Sequence, residues 1–423
     1  MKKNLKEQFR QRKINKPNAL LAAVAMPVLG HLAKKSNVSY TYDYDKKQYA
    51  SQSCILLATH SARLEFVHVL HGFGKKDINI VVGYQNIMKK YLYTPLKMAG
   101  IISKYLYQPD ISCTKSMLSV LKRKGSLLLF PEGIQSTSGS AHPINPATTK
   151  LLKRGNVPVF LCKSQGSYLS TNRYSSDVKK GAIKVHYQLL FTAEELKTLS
   201  EEQIYQKLLE AFRYNDFEAN KQNKVQFVGK RPNIDGLNNI IYKCPHCNKE
   251  FCLEVRGENM VCTECGYEVT MDNYYCLHAV NKQLLHDDVD KWYKWQRKVL
   301  HQEVTKDGFQ MQMQGQLCTL RTDKLCKSPK NRILQGEGTF CLTRNGLMLD
   351  KTNGERIVFD AKNLYSLTFT QSGLLEFYYN EEYYIIVPLV PRTMLAKWTI
   401  ASEEIHNLHD ERWAKASQDV YDY

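Results

Sequence analysis

The sequence predicts an α/β protein in three parts: an αβ layer domain, a small four-cysteine ribbon, and a β-rich, barrel-like domain with a C-terminal helix. Three observations carry this. Short aliphatic runs alternate with helix-like stretches as far as about residue 213, two Cys-x-x-Cys pairs follow, and from residue 316 the apolar residues recur with period two between turn signals.

A chain of 423 residues is long enough for two or three domains, each burying its own core. Its composition, 43% hydrophobic and 24% charged, is that of a globular domain and not of a disordered tract. The formal net charge of +18 suits a phosphate-rich partner, either nucleic acid or an anionic membrane surface.

Residues 1–16 carry seven basic side chains and one acid, and the apolar run ALLAAVAMPVLGHL follows at 19–32, ahead of Lys34 and Lys35. The run is too short to span a bilayer, which needs about 20 apolar residues. It predicts a segment, 1–36, that docks in the membrane interface; a short core helix and a signal peptide are the alternatives. No cleavage site with a polar flank follows it.

The layer domain is expected over 37–214. Its strands are read at 54–58 (CILLA), 78–82 (INIVV), 126–130 (SLLLF), 157–162 (VPVFLC) and 183–190 (IKVHYQLL). The first four are continuous and aliphatic, as in strands buried on both faces. A helix fits 114–123, and Thr192 with Glu195 forms a capping-box pattern opening a helix towards Phe212. A polar linker is expected over 215–240, the ribbon over 241–280, and an amphipathic helical connector over 281–315. The domain at 316–423 begins with a hairpin around Asn345-Gly346. Strands at 356–359, 364–370, 374–379 and 383–389 follow, and Pro391 opens a last helix. Meandering strands closed by one helix resemble, in architecture only, the pleckstrin-homology type.

Cys244, Cys247, Cys262 and Cys265 form two knuckles with fourteen residues between them. Four thiolates in tetrahedral array make a closed, structural Zn2+ site; iron and a redox pair are the alternatives. Such thiols imply a reducing, cytoplasmic compartment. Cys252 and Cys276 read as packing residues, and His246 as an exposed one. The ribbon also holds Glu250, Glu254, Glu258, Glu264 and Glu268, which would repel a nucleic-acid backbone.

The residues that carry chemistry stand at strand ends. CILLATHSARLEF sets His60 after a buried strand with Glu65 five residues later, and SLLLFPEGIQSTSG sets Pro131, Glu132 and Gly133 after another. In open α/β sheets, sites form at the carboxyl ends of strands. A neutral histidine, with a pKa near about 6.5, can take the proton of an attacking hydroxyl, and a carboxylate on its other ring nitrogen fixes the tautomer. Alone, such a pair is usually a loop histidine beside a solvated glutamate. Together with Phe-Pro-Glu-Gly and Val157-Pro158-Val159 ahead of Gly166, it resembles the glycerolipid acyltransferase family that makes phosphatidate from lysophosphatidate, over roughly residues 20–200.

The resemblance implies an acyltransferase-type αβ layer domain and an O-acyltransferase activity. It makes His60 the general base and Glu65 the carboxylate that orients it. Phe130, Pro131, Glu132 and Gly133 match the block that holds the acceptor, a lysophospholipid. Val157 and Pro158 match the block associated with the thioester donor, acyl-CoA or acyl-carrier protein. Lys104 is the nearest match to the family's phosphate-binding arginine. The site would work against an anionic membrane surface, peripheral on its inner, cytoplasmic face. Three features depart from the family pattern: Thr59 replaces asparagine and Glu65 aspartate, Ile134-Gln135 replaces Thr-Arg, and Lys104 lacks arginine's fork. Glu65 and Gln135 favour a rival from another class, a lipid-surface binding protein that keeps the fold with weakened catalysis.

Overall fold

A computed structural model describes residues 4–63, 65–326 and 332–421. Among these the chain forms a mixed α/β structure with three sheets. The first contains β1 (Val38–Tyr42), β2 (Ile55–Ala58), β3 (Ile78–Gly83), β4 (Ile102–Lys104), β5 (Ser126–Leu129), β6 (Val159–Gln165) and β7 (Ile183–Phe191). Its order is β1-β7-β6-β2-β5-β3-β4. The five strands from β6 to β4 run parallel, while β7 pairs antiparallel with β6.

The aliphatic runs are continuous because both sheet faces are covered. Leu57, Leu129 and Leu161 face the helices Ile111–Lys122, Ala147–Gly155 and Glu201–Phe212. Leu56, Leu128 and Phe160 face the helix Glu65–Phe73 through Val69. β1 and β4 went unread in the sequence because one alternates in burial and the other has three residues. The helix expected from Thr192 to Phe212 is two helices. The Thr192–Glu195 box opens the first, and a second box, Ser200 with Gln203, starts another at Glu201.

The segment expected as a polar linker is well packed. Asn215 caps the helix Asp216–Asn223, and Phe217, Phe227, Ile234 and Leu237 are buried. A four-stranded sheet carries the cysteine knuckles: β8 (Leu253–Arg256), β9 (Asn259–Cys262), β10 (Glu268–Met271) and β11 (Leu277–Ala279). The helix Val289–Val304 follows.

The third sheet holds β12 (Gln310–Leu320), β13 (Arg332–Thr343), β14 (Gly346–Lys351), β15 (Arg356–Asp360), β16 (Thr368–Phe369), β17 (Leu375–Tyr379) and β18 (Glu382–Pro388). It is antiparallel, in the order β15-β14-β13-β12-β18-β17-β16. Thr343 pairs with Gly346, so the hairpin loop is Arg344-Asn345, one residue earlier than the turn signal suggested. The strand read at 364–370 shrinks to two residues. The helix Leu395–Asn407 packs on this sheet, and a second, unpredicted helix, Glu411–Tyr421, follows it.

One continuous core joins these parts. It runs from Tyr168 and Phe217 through Met260 and Trp292 to Phe359 and Trp398. The N-terminal basic segment is partly turned inward. Lys6 meets the Glu382 carboxylate at 2.7 Å, Arg10 meets Asp110 at 2.6 Å, and Arg12 donates to the Ile101 carbonyl. The apolar run becomes the helix Ala19–Lys35. No helix among the described residues is long and apolar enough to cross a membrane.

Candidate active site

His60 follows β2 at the carboxyl edge of the first sheet, and the chain turns at once into the helix Glu65–Phe73. That turn brings Glu65 back onto the histidine: Nδ1 of His60 lies 2.5 Å from Oε1 of Glu65. The other oxygen, Oε2, accepts from the Ser61 amide (2.7 Å), the Ser61 hydroxyl (2.8 Å) and the Ala62 amide (3.1 Å). Glu65 is fully buried, so four donors fix its position. A carboxylate accepts, so in the neutral imidazole this contact favours the tautomer with the proton on Nδ1 and the lone pair on Nε2. The side chain of His60 is 24% exposed, and its ring rests on Phe130 with centroids 4.6 Å apart.

Phe130 and the turn after it come from β5, which pairs with β2, so the two motif loops lie side by side. Glu132 does not face solvent. Its Oε1 accepts the His60 amide at 2.8 Å, and Oε2 accepts the His142 amide at 2.9 Å and the Tyr214 hydroxyl at 3.3 Å. Burial pushes its carboxyl up to about 8, while the amides of His142 and His60 pull it down. The carbonyl of His60 in turn accepts the Ser136 amide at 2.7 Å. Gly133 adopts φ +79°, and a Cβ there would lie 3.2 Å from the Tyr107 ring. A side chain at this position would meet both obstacles.

The sheet brings some sequence-read residues together and separates others. Lys104 ends β4 on the same edge as His60 but three strands away, roughly 14 Å by strand spacing. Val157 and Pro158 precede β6, which runs parallel to β2 with Val159 beside Ile55. They therefore lie at the opposite, amino edge of the sheet and do not meet His60. Motif reading missed His142 and Tyr214, for neither sits in a strand-end motif.

The four knuckle cysteines converge. All four Sγ atoms lie within 4.8 Å of one another, with Cys244 to Cys265 at 3.8 Å and Cys247 to Cys262 at 3.7 Å. A tetrahedron with metal–sulfur bonds of about 2.3 Å has edges of about 3.8 Å, so the cluster fits one four-coordinate ion. Gly266 at φ +70° and Asn248 at φ +60° turn the chain after each knuckle. His246 is exposed and stacks on Tyr267. The Cys252 Sγ lies 3.4 Å from that of Cys262, outside the group of four.

Known protein families yield no match to this chain, and no curated protein matches it. Among solved structures, the 1-acyl-sn-glycerophosphate (LPA) acyltransferase PlsC from Thermotoga maritima is similar at a TM-score of 0.38 and 12% identity. The match spans 45% of this chain and 76% of that one.

The cluster predicts one tightly held metal ion per chain by elemental analysis, and a Cys244→Ser variant with sharply reduced metal content. For Glu132, the folded carboxyl lies above its ordinary 4.5. Its contribution to stability is therefore complete below that value and lost as pH rises towards about 8. Glu132→Gln should be less stable at pH 5, because its amide faces donors. Its urea-unfolding stability should also change less than that of wild type between pH 5 and 8.

Proposed function

We propose that the protein is an O-acyltransferase that moves a fatty acyl group from a thioester to the hydroxyl of lysophosphatidate or a related lysolipid. The observation that carries this reading is the His60–Glu65 pair, held at a strand end beside the Phe130–Gly133 turn with Nε2 left to act. In the reaction, Nε2 takes the acceptor's hydroxyl proton as its oxygen attacks the thioester carbonyl. A C–O bond forms, the C–S bond breaks, and the proton passes from His60 to the departing sulfur. Glu65 holds the imidazolium in place, and Glu132 acts through the His60 backbone. The donor is acyl-CoA or acyl-carrier protein. Lys104 stands on the correct edge for an acceptor phosphate, whereas Val157 and Pro158 stand too far away to touch the reacting carbonyl.

The working surface is that of an anionic membrane, with the enzyme peripheral on the cytoplasmic face. The helix Ala19–Lys35 supports this, for Leu20 (78%), Val24 (68%), Val28 (53%) and Leu32 (41%) form an exposed apolar stripe. Phe66, 44% exposed, lies six residues after His60, in the first turn of the helix Glu65–Phe73. Residues 1–124 hold 22 basic and 6 acidic side chains, so the rest of the chain contributes only +2 of the +18. Charge and apolar stripe thus share the N-terminal third. The four-cysteine sheet would be a structural zinc ribbon, and the third sheet with its covering helix a pleckstrin-homology-like module. Glu65 reaches His60 despite its length, which weighs against the binding-protein rival, while Gln135 still stands in its favour.

Purified protein should transfer acyl groups to lysophosphatidate in mixed micelles from at least one of the two donors. His60→Ala should lose about 100- to 10,000-fold in kcat while still binding vesicles. Vesicle binding without turnover in wild type, with both donors offered, would favour the rival. A Leu20→Ser/Val24→Ser/Val28→Ser variant should bind anionic vesicles at least about tenfold more weakly by co-sedimentation, since each change removes part of the roughly 1.5–3 kcal/mol available from burying such a side chain.

A further inference from the structure

Asp290 lies in the first turn of the helix Val289–Val304, far in sequence from His60, and is 1% exposed. Capping does not explain it. Asp288 is the N-cap and accepts the Lys291 amide at 2.8 Å. The carboxylate of Asp290 is instead aimed at the loop that follows the Phe130–Gly133 turn. Its Oδ1 accepts the hydroxyls of Ser140 at 2.6 Å and Ser138 at 2.7 Å. Its Oδ2 accepts from Asn215 Nδ2 at 3.0 Å and pairs with Lys294 at 3.2 Å.

The loop passes this grip on to His60. Ser136 Oγ donates to the Ser140 carbonyl at 2.6 Å and accepts the Gly139 amide at 2.9 Å. The Ser136 amide then holds the His60 carbonyl at 2.7 Å. With Glu132 on the His60 amide, both peptide groups of the histidine are tied. Burying a carboxylate is costly unless donors meet it, and a packing role alone would be served by an apolar side chain.

The helix is in turn fixed to the segment that leads into the cysteine knuckles. Trp292 Nε1 donates to the Lys243 carbonyl at 3.0 Å, while Gln296 accepts the Tyr242 amide at 3.0 Å and donates to the Ile240 carbonyl at 2.7 Å. We propose that Asp290 is a positioning residue for His60, setting the base through the Ser136–Ser140 loop from a helix anchored beside the cysteine ribbon. This rests on the reading of His60 as the general base. Misplacement by about 1 Å costs on the order of 100-fold in rate.

The test uses the full chain with 15N-labelled histidine. In wild type, the His60 Nδ1–H bonded to Glu65 gives a low-field proton resonance, assigned by its loss in His60→Gln. Asp290→Ala should shift or broaden this resonance and lower kcat about 10- to 100-fold, with both KM values within about threefold. Asp290→Asn keeps one oxygen for the two serines, though its amide nitrogen then faces Asn215 and Lys294, and it should restore the resonance and part of kcat. If Asp290→Ala does not fold, Ser138→Ala/Ser140→Ala removes the same bonds from the loop side and should give the same changes. A folded variant with the resonance unmoved and kcat within twofold of wild type overturns the proposal. If wild type transfers no acyl group, the acyltransferase reading fails, yet the resonance still decides whether Asp290 positions His60.

Discussion

Carboxyl groups removed from water govern this site. Glu65 and Glu132 are both buried, and a buried carboxyl without donors would be too costly to keep. Each gathers donors from the chain around His60. Glu65 draws in the ring nitrogen and the next two residues, and Glu132 draws in the His60 amide with two partners from elsewhere. The histidine is thereby fixed in ring and backbone at once. The arrangement resembles the triad logic, in which the orienting acid matters for tautomer and placement more than for its own proton.

The same rule governs how the later parts of the chain attach. Arg297, 1% exposed, lies against Glu403 and Glu404 at 2.6 Å each. The hydroxyl of Tyr421, on the last helix, meets Nδ1 of His142, whose amide holds Glu132. Burial keeps His142 well below its ordinary value, at about 3, so the ring is neutral. Paired polar groups of this kind add little net stability but penalise any other docking, since a shifted helix would strand them unpaired. The shared core supplies the attraction, and the polar contacts select the orientation.

Much of this was legible in the residues. The aliphatic runs around Leu56, Leu128 and Phe160 announced buried strands, and the two Cys-x-x-Cys pairs announced a cluster. The misreadings have physical reasons. β1 and β4 are short edge-side strands whose side chains carry little apolar signal. The helix after Thr192 divides because Ser200 caps a new one, and a second cap inside a helical period is invisible to periodicity alone. Lys6, Arg10 and Arg12 belong to the basic stretch read as docking on a membrane, yet each is drawn inward by a carboxylate or carbonyl distant in sequence.

The sequence by itself determined the buried central strands, the knuckles, and a spacing that lets Glu65 reach His60, because each depends on residues a few positions apart. Only the tertiary structure decided that Val157 and Pro158 sit at the far edge of the sheet, since strand direction is a property of the whole sheet. It alone decided that Glu132 would reach back 72 residues to His60, and Asp290 150 residues to Ser140. Hydrogen-bond partners of a buried carboxyl are whichever donors the fold delivers to it, and no local pattern names them.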